Sequence, residues 1–203
     1  MGKAGNRIKT TPESVKRMAE EGHEIGYHTW SHTFFFNMTK KQIEDDLNTF
    51  QQKLMEVCGQ KATVYRAPGG NITNTALSTI PMPHIMWSVD TRDWETRNTT
   101  AVKNAIIGGL KDGAIILVHD IHATTYYGTK EAIEAVKAMM VNGEWDVFSG
   151  VKLQIAADGT ITKVDAPLMD NAGNEIVAAG GPSVEDGVIT GTMNYFVAGV
   201  EEA

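Results

Sequence analysis

The segment "EIGYHTWSHTFFF", residues 24–36, sets His28 and His32 four positions apart, between an apolar run and three phenylalanines. Imidazole is a favoured ligand of zinc-like divalent metals, and one turn of chain can bring a pair at this spacing toward a common point. Taken alone, the pair stays open between a metal clamp and two loop histidines in an aromatic patch. Three more positions carry groups of chemical interest: Arg66 in "YRAPGG", Asp90 and Asp93 in "WSVDTRDW", and His119 with Asp120 in "ILVHDIH". His119 follows an apolar run, so its ring belongs at the rim of a core, where burial and a carboxylate can tune it. Plainer readings stand beside these. Arg66 also suits a surface ion pair, and Asp90 and Asp93 suit turns or caps. Trp94 and Phe34 to Phe36 suit packing, although near a site they would also fit the apolar face of a sugar ring.

Each chemical residue closes an expected strand. The strands end at His28, at Arg66, at Asp90 and at His119–Asp120. Helical patterns separate them. "TPESVKRMAEEG" reads as a helix with Thr11 as N-cap, Pro12 at its first position and Gly22 closing it. "TKKQIEDDLNTFQQKLMEVCG" carries a capping box, Thr39 with Gln42, an apolar stripe of Ile43, Leu47, Phe50, Leu54 and Val57, and a terminal Gly59. "TNTALSTI", "TTAVKNAIIGGLKDG" and "GTKEAIEAVKAMMVNG" read as further helices. Strands alternating with helices predict an α/β fold with a parallel sheet, open or closed into a barrel, and active sites of such folds gather at the strands' carboxyl ends.

Near Gly150 the pattern changes. "VKLQIAADGTITKV" reads as a hairpin around Asp158-Gly159, and the remainder is glycine-rich and strand-like. The expected organisation is therefore residues 1–150 as one domain and 151–203 as a β-rich tail. The chain has 203 residues and a net charge of -7, which argues against nucleic acid or an anionic membrane as partner. A single cysteine, Cys58, excludes an intrachain disulfide framework. No apolar run is long enough to span a membrane, and "MGKAGNRIKTTPESV" lacks the apolar core of a signal peptide.

Four motifs in order resemble the polysaccharide deacetylase family, the NodB-homology or carbohydrate esterase 4 group, over about residues 10–150. "HTWSH" resembles its His-(Ser/Thr)-x-x-His motif, "RAPGG" its Arg-x-Pro motif, "DTRDW" its Asp-x-x-Asp-Trp motif and "LVHD" its Leu-x-His motif. The resemblance implies a distorted (β/α) barrel and metal-dependent deacetylation of N-acetylglucosamine or N-acetylmuramic acid units in peptidoglycan or chitin-type glycans. It implies that His28 and His32 hold a divalent metal, zinc by family usage, that His119 is the general acid, and that Asp90 tunes it. Arg66 would orient the base, the Gly69 N–H would hold the oxyanion, and Trp94 and Leu117 would line the acetyl pocket. A bulky residue often stands in the family where Gly69 stands here, which implies a more open groove. Family usage also implies an exported or cell-surface location.

The family's Asp-Asp motif, source of the base and the third metal ligand, is not seen before "HTWSH". One expectation is a chain lacking the first strands of the barrel. Another is a circular permutation in which the tail completes the barrel, with Glu185 as base, Asp186 as metal ligand and residues 193–198 pairing beside the strand at 24–28. Two other functions stay open: a carbohydrate-binding remnant without the base, and an acetylxylan esterase of the same family.

Overall fold

The computed structural model describes residues 4–111, 113–156, 160–169 and 173–185. Two compact units divide the chain between Met86 and Trp87. The first contains α1 (Ala4–Thr10), α2 (Pro12–Glu20), α3 (Lys40–Cys58) and α4 (Asn74–Thr79). The second contains β1 (Val89–Asp90), α5 (Asp93–Thr96), α6 (Thr99–Gly109), β2 (Ile116–Leu117), α7 (Ala123–Val141), β3 (Val151–Ile155), β4 (Ile161–Asp165), β5 (Leu168–Met169) and β6 (Glu175–Val177).

In the first unit α3 is the main support. Thr39 accepts from the Gln42 amide while the Gln42 side chain accepts from the Thr39 amide, so the capping box forms as expected. At the other end Gly59 turns left-handed at φ 71°, a conformation that favours glycine. The stripe buries Ile43, Phe50 and Leu54 completely, and Leu47 and Val57 pack beside them. Each such side chain contributes roughly 1.5–3 kcal/mol. Phe50 meets the ring of Tyr27 edge-on at 5.3 Å, which ties α3 to the strand segment that delivers His28. α1, which the sequence did not announce, starts against the same region: the Gly5 and Asn6 amides donate to the carbonyls of Thr29 and Trp30. A Cβ on Gly5 would lie 2.5 Å from Trp30 Cα, so this approach requires glycine.

The expected strands of this unit are far shorter than their sequence runs. Tyr27 pairs in parallel with Tyr65, and Tyr65 with His84, as single pairs rather than ladders. Prolines explain part of the interruption: Pro68 follows the second segment, Pro81 and Pro83 precede the third, and none has an N–H to donate. The turn after Tyr65 is fixed from the side, because the Ala67 amide donates to Nε2 of His84 at 3.1 Å. That bond requires a neutral imidazole with its proton on Nδ1. Burial, and then the nearby Arg66 charge, hold His84 below its ordinary value of 6.5.

In the second unit β1 and β2 pair in parallel, Val89 with Ile116 and Asp90 with Leu117. α6 is capped by Asn98, which accepts from the Ala101 amide, and it packs closely on α7. Val102, Ile106, Ile107 and Ala132 form the core of that contact. β3 and β4 make the expected antiparallel hairpin, while Asp158 and Gly159 lie outside the described residues. Ile155 and Ile161 pack on the α6–α7 core, so this hairpin is part of the second unit. β5 and β6 form another antiparallel pair. The described sheets are open pairs of strands, and the barrel implied by the resemblance is not formed by them. No helix among the described residues is long and apolar enough to cross a membrane.

Two stability predictions follow from these contacts. A Cβ at Gly128 would lie 2.6 Å from the Thr99 carbonyl oxygen and 2.7 Å from Val102 Cβ. Alanine gains about 1 kcal/mol of helix propensity, whereas overpacking costs about 1–3 kcal/mol. Gly128→Ala therefore lowers the denaturant midpoint, and an unchanged or raised midpoint would contradict the α6–α7 packing. His84 supplies a pH dependence. The unfolded chain binds its proton near 6.5 and the folded chain only at lower pH, so this contribution is complete above 6.5 and is lost as pH falls. Tm measured from about pH 7.5 to about pH 5.5 falls more in the wild type than in His84→Gln, whose amide oxygen accepts the same bond without titrating.

Candidate active site

In the first unit the chemistry sits one residue beyond each paired tyrosine. The Arg66 amide donates to the Tyr27 carbonyl at 2.9 Å, and Nδ1 of His28 lies 2.7 Å from the Arg66 carbonyl oxygen. A carbonyl can only accept, so Nδ1 of His28 carries a proton, and in the neutral ring the lone pair is on Nε2. A histidine that ligates a metal through Nε2 needs that tautomer. The rings of His28 and His32 stand 4.9 Å apart at 73°. The chain between them is not helical, contrary to the simple reading of an i, i+4 pair. Thr29 has φ 54° and His32 has φ 58°, and Thr29 is fully buried. A β-branched residue in the left-handed region is strained, by roughly 1–3 kcal/mol.

One carboxylate braces this turn. Asp46, on α3, accepts at Oδ1 from the Tyr27 hydroxyl at 2.7 Å and from the Trp30 amide at 2.8 Å. Burial first, and the bond to Asp46 second, push the Tyr27 phenol far up, so it stays a neutral donor. Asp46 was not singled out from the sequence. A signal was present: it lies three residues after Ile43 and four before Phe50, a carboxylate on the buried face of an amphipathic helix.

The three phenylalanines divide their tasks. Phe35 is core, between Tyr27 and Tyr65. Phe34 meets His32 edge-on at 5.8 Å and stacks on the exposed Phe36 at 5.2 Å. Gly69 has φ 63°, and a Cβ there would lie 2.7 Å from Phe34 Cε1. Phe34 thus occupies the space beside Gly69, and the groove is not opened simply by the lack of a side chain there. Arg66 donates from Nε to the Ile85 carbonyl at 2.9 Å and from Nη2 to the Met86 carbonyl at 3.3 Å, and burial lowers its value.

In the second unit the carboxylate on His119 is Asp93, not Asp90. Nδ1 of His119 donates to Asp93 Oδ1 at 2.8 Å, and the His119 amide donates to Oδ2. The Thr125 hydroxyl donates to Oδ2 at 2.8 Å. Asp93 has 0% exposure. Burial alone would raise its carboxyl, yet the bonds from His119 and Thr125 outweigh that and hold it below the usual carboxylate value. Asp90 is exposed and caps the turn, accepting from the Arg92 amide at 2.9 Å. The left-handed Arg92, φ 48°, then starts α5 so that Asp93 enters the core and Trp94 faces outward, 40% exposed. Both aspartates belong to "DTRDW", and only the tertiary contact separates their roles. Leu117 is half-buried, and its carbonyl accepts from the Thr91 hydroxyl at 2.8 Å.

Two neighbouring imidazoles, one with its tautomer set by the Arg66 carbonyl, suit a borderline metal such as zinc. Among the described residues no group of three His, Cys, Asp or Glu side chains forms a metal-holding cluster. Asp186, expected as the third ligand, and residues 193–198, expected to pair beside the histidine segment, lie outside the described residues. Glu185, the base of that scheme, is exposed.

The polysaccharide deacetylase family model matches residues 3–80. The peptidoglycan-N-acetylglucosamine deacetylase PgdA of Listeria monocytogenes is 34% identical over 152 residues, covering 74% of this chain and 33% of that protein. The chitooligosaccharide deacetylase of a Bradyrhizobium species is 30% identical over 120 residues, covering 57% and 55%. This chain thus spans between about one third and just over half of the length of these relatives. Among solved structures, that of the peptidoglycan deacetylase PdaC from Bacillus subtilis aligns with a TM-score of 0.64 and 31% identity, over 66% of this chain and 67% of that one. With the four motifs in order and an overall match of this kind, the chain belongs to the polysaccharide deacetylase family.

Proposed function

We propose that this chain carries deacetylase chemistry: metal-dependent hydrolysis of the acetamido group of N-acetylated glycans, with peptidoglycan-type N-acetylglucosamine as the first substrate class. The observation that carries the reading is the buried Asp93, which grips His119 by both backbone and ring. Hydrolysis breaks the amide C–N bond, adds the oxygen of water to the acyl carbon as acetate, and requires a proton on the departing amine. Asp93 fixes the His119 proton on Nδ1 and turns Nε2 outward, so Nε2 is the nitrogen that exchanges a proton with that amine. A divalent metal, zinc by the donor chemistry of His28 and His32, would polarise the acetamide carbonyl and acidify a bound water. His28 and His32 would hold it, with the Arg66 carbonyl maintaining the His28 tautomer. The exposed, left-handed Gly69 offers an N–H for the developing oxyanion, and Trp94 and Leu117 offer an apolar wall for the acetyl methyl. Asp186 remains the proposed third ligand. A peptidoglycan substrate places this work outside the cytoplasmic membrane.

Acetate release from an N-acetylglucosamine oligomer in the presence of zinc tests the reading. His119→Ala lowers the rate by about 10²–10⁴-fold, and Asp93→Asn lowers it by roughly 10²-fold or more through the loss of ring orientation. Acetate release that survives His119→Ala would remove the assigned proton donor. Glycan binding with no acetate from the wild type would favour the binding-only alternative, and faster release from acetylated xylan the esterase.

Metal dependence has its own readout. A chelator in excess stops acetate release, and zinc restores it. In a competition titration against a chromogenic chelator, His28→Ala loses at least about 10-fold in zinc affinity. Equal affinities in variant and wild type would sink the ligand assignment.

A further inference from the structure

The histidine loop does not hold its shape by local preference. Thr29 and His32 both sit at positive φ, and neither is glycine. Something outside the loop must select that turn, and the contacts name it. The Tyr27 hydroxyl and the Trp30 amide, one residue before His28 and two after it, converge on a single oxygen of Asp46. Asp46 is itself held rigidly. α3 has its capping box closed at Thr39 and Gln42, and Ile43, Phe50 and Leu54 lock its inner face into the core. Tyr27 is wholly buried and packs edge-on against Phe50, so the hydroxyl has little freedom to seek another acceptor.

We infer that Asp46 is the positioning residue of the histidine pair: through Tyr27 and Trp30 it holds the His28–His32 turn in its left-handed form and thereby sets the affinity of that pair for a divalent cation. The carboxylate does not ligate the metal in this role. It presents one acceptor to two donors that bracket His28, so the strained turn is organised before a cation arrives. α1 assists from the other side, since the Gly5 and Asn6 amides take the Thr29 and Trp30 carbonyls. Those bonds fix the carbonyls of the turn, whereas Asp46 fixes the amide and the preceding side chain.

The inference rests on the metal-binding reading of His28 and His32, and its test separates the two. Zinc affinity is measured for the whole chain by competition with a chromogenic chelator, with Tm recorded for every variant. Asp46→Ala loses about 10–100-fold in zinc affinity, the usual effect of removing a group that orients ligands. Asp46→Asn, whose amide oxygen can accept both bonds, recovers most of that loss. Tyr27→Phe keeps the ring and its packing, removes one of the two bonds, and loses roughly 3–10-fold. Ile80→Val, a truncation in the same core at the end of α4 and outside both α3 and the histidine loop, lowers Tm and leaves zinc affinity unchanged. If the wild type binds zinc and both Asp46→Ala and Tyr27→Phe bind it equally well, the positioning role is overturned while the ligand reading stands. The role is also overturned if Ile80→Val weakens zinc binding as much as Asp46→Ala, because affinity then follows general stability. A wild type that binds no zinc overturns the ligand reading, and the positioning role falls with it.

Discussion

A carboxylate with no solvent exposure is an expensive group to fold around, and Asp93 is one. Its charge is tolerated because three donors meet its two oxygens: the His119 amide, the His119 ring and the Thr125 hydroxyl. Satisfying those bonds constrains most of the second unit. β1 and β2 must pair in parallel so that the segment after Leu117 runs beside the start of α5. α7 must begin near residue 123 so that Thr125 is in its first turn. Gly128 then lets α7 approach the Thr99 carbonyl and Val102 closely enough for that turn to stay in place. An apolar substitute at Asp93 would fill the same volume at lower desolvation cost, but it could not orient an imidazole. The buried charge is better explained by the ring it holds than by stability.

The first unit uses a carboxylate in a second way. Asp46 is only half-buried and gathers donors from a neighbouring segment, so its desolvation is modest and its effect is on backbone shape. The contrast is physical. Asp93 acts on a side chain that exchanges a proton, and needs burial to make one orientation dominate. Asp46 acts on a turn whose cost is torsional, and needs only two well-placed bonds to offset it.

Sequence patterns reveal what is local. The capping box at Thr39 and Gln42, the stop at Gly59, the Asn74–Thr79 helix behind Thr73 and the hairpin 151–165 are encoded within a few residues each, and they form. The placing of chemical residues just past paired positions is also legible, because apolar runs ending in a polar residue mark strand ends. Other features depend on distant partners. "DTRDW" offers two aspartates, and only Arg92 at φ 48° decides that the second turns inward. "YHTWSH" shows no glycine or asparagine to announce left-handed residues, so the turn at Thr29 and His32 is invisible without Asp46 and α1. Strand length was overread because hydrophobicity reports burial rather than hydrogen bonding. The prolines at 68, 81 and 83 interrupt pairing while Tyr65, Ala67 and Ile80 stay buried. The composition change at Gly150 marks a change of element type: the hairpin beyond it is polar on one face, and Ile155 and Ile161 on it pack on the α6–α7 core.

Gly69 and Phe34 show how a site can exchange the source of its bulk. A side chain at position 69 would point from the turn that offers an N–H, and its size would be tied to that turn's backbone. Here the turn is left-handed at φ 63°, which favours glycine, and the space a Cβ would need is taken by the ring of Phe34. That ring also touches His32 edge-on and is stacked on Phe36, whose outer face is open to solvent. Bulk that sits on the histidine loop moves with that loop. The shape beside the Gly69 amide is therefore coupled to the same turn that Asp46 braces, and a change in the turn alters the space beside that amide as well as the histidine pair.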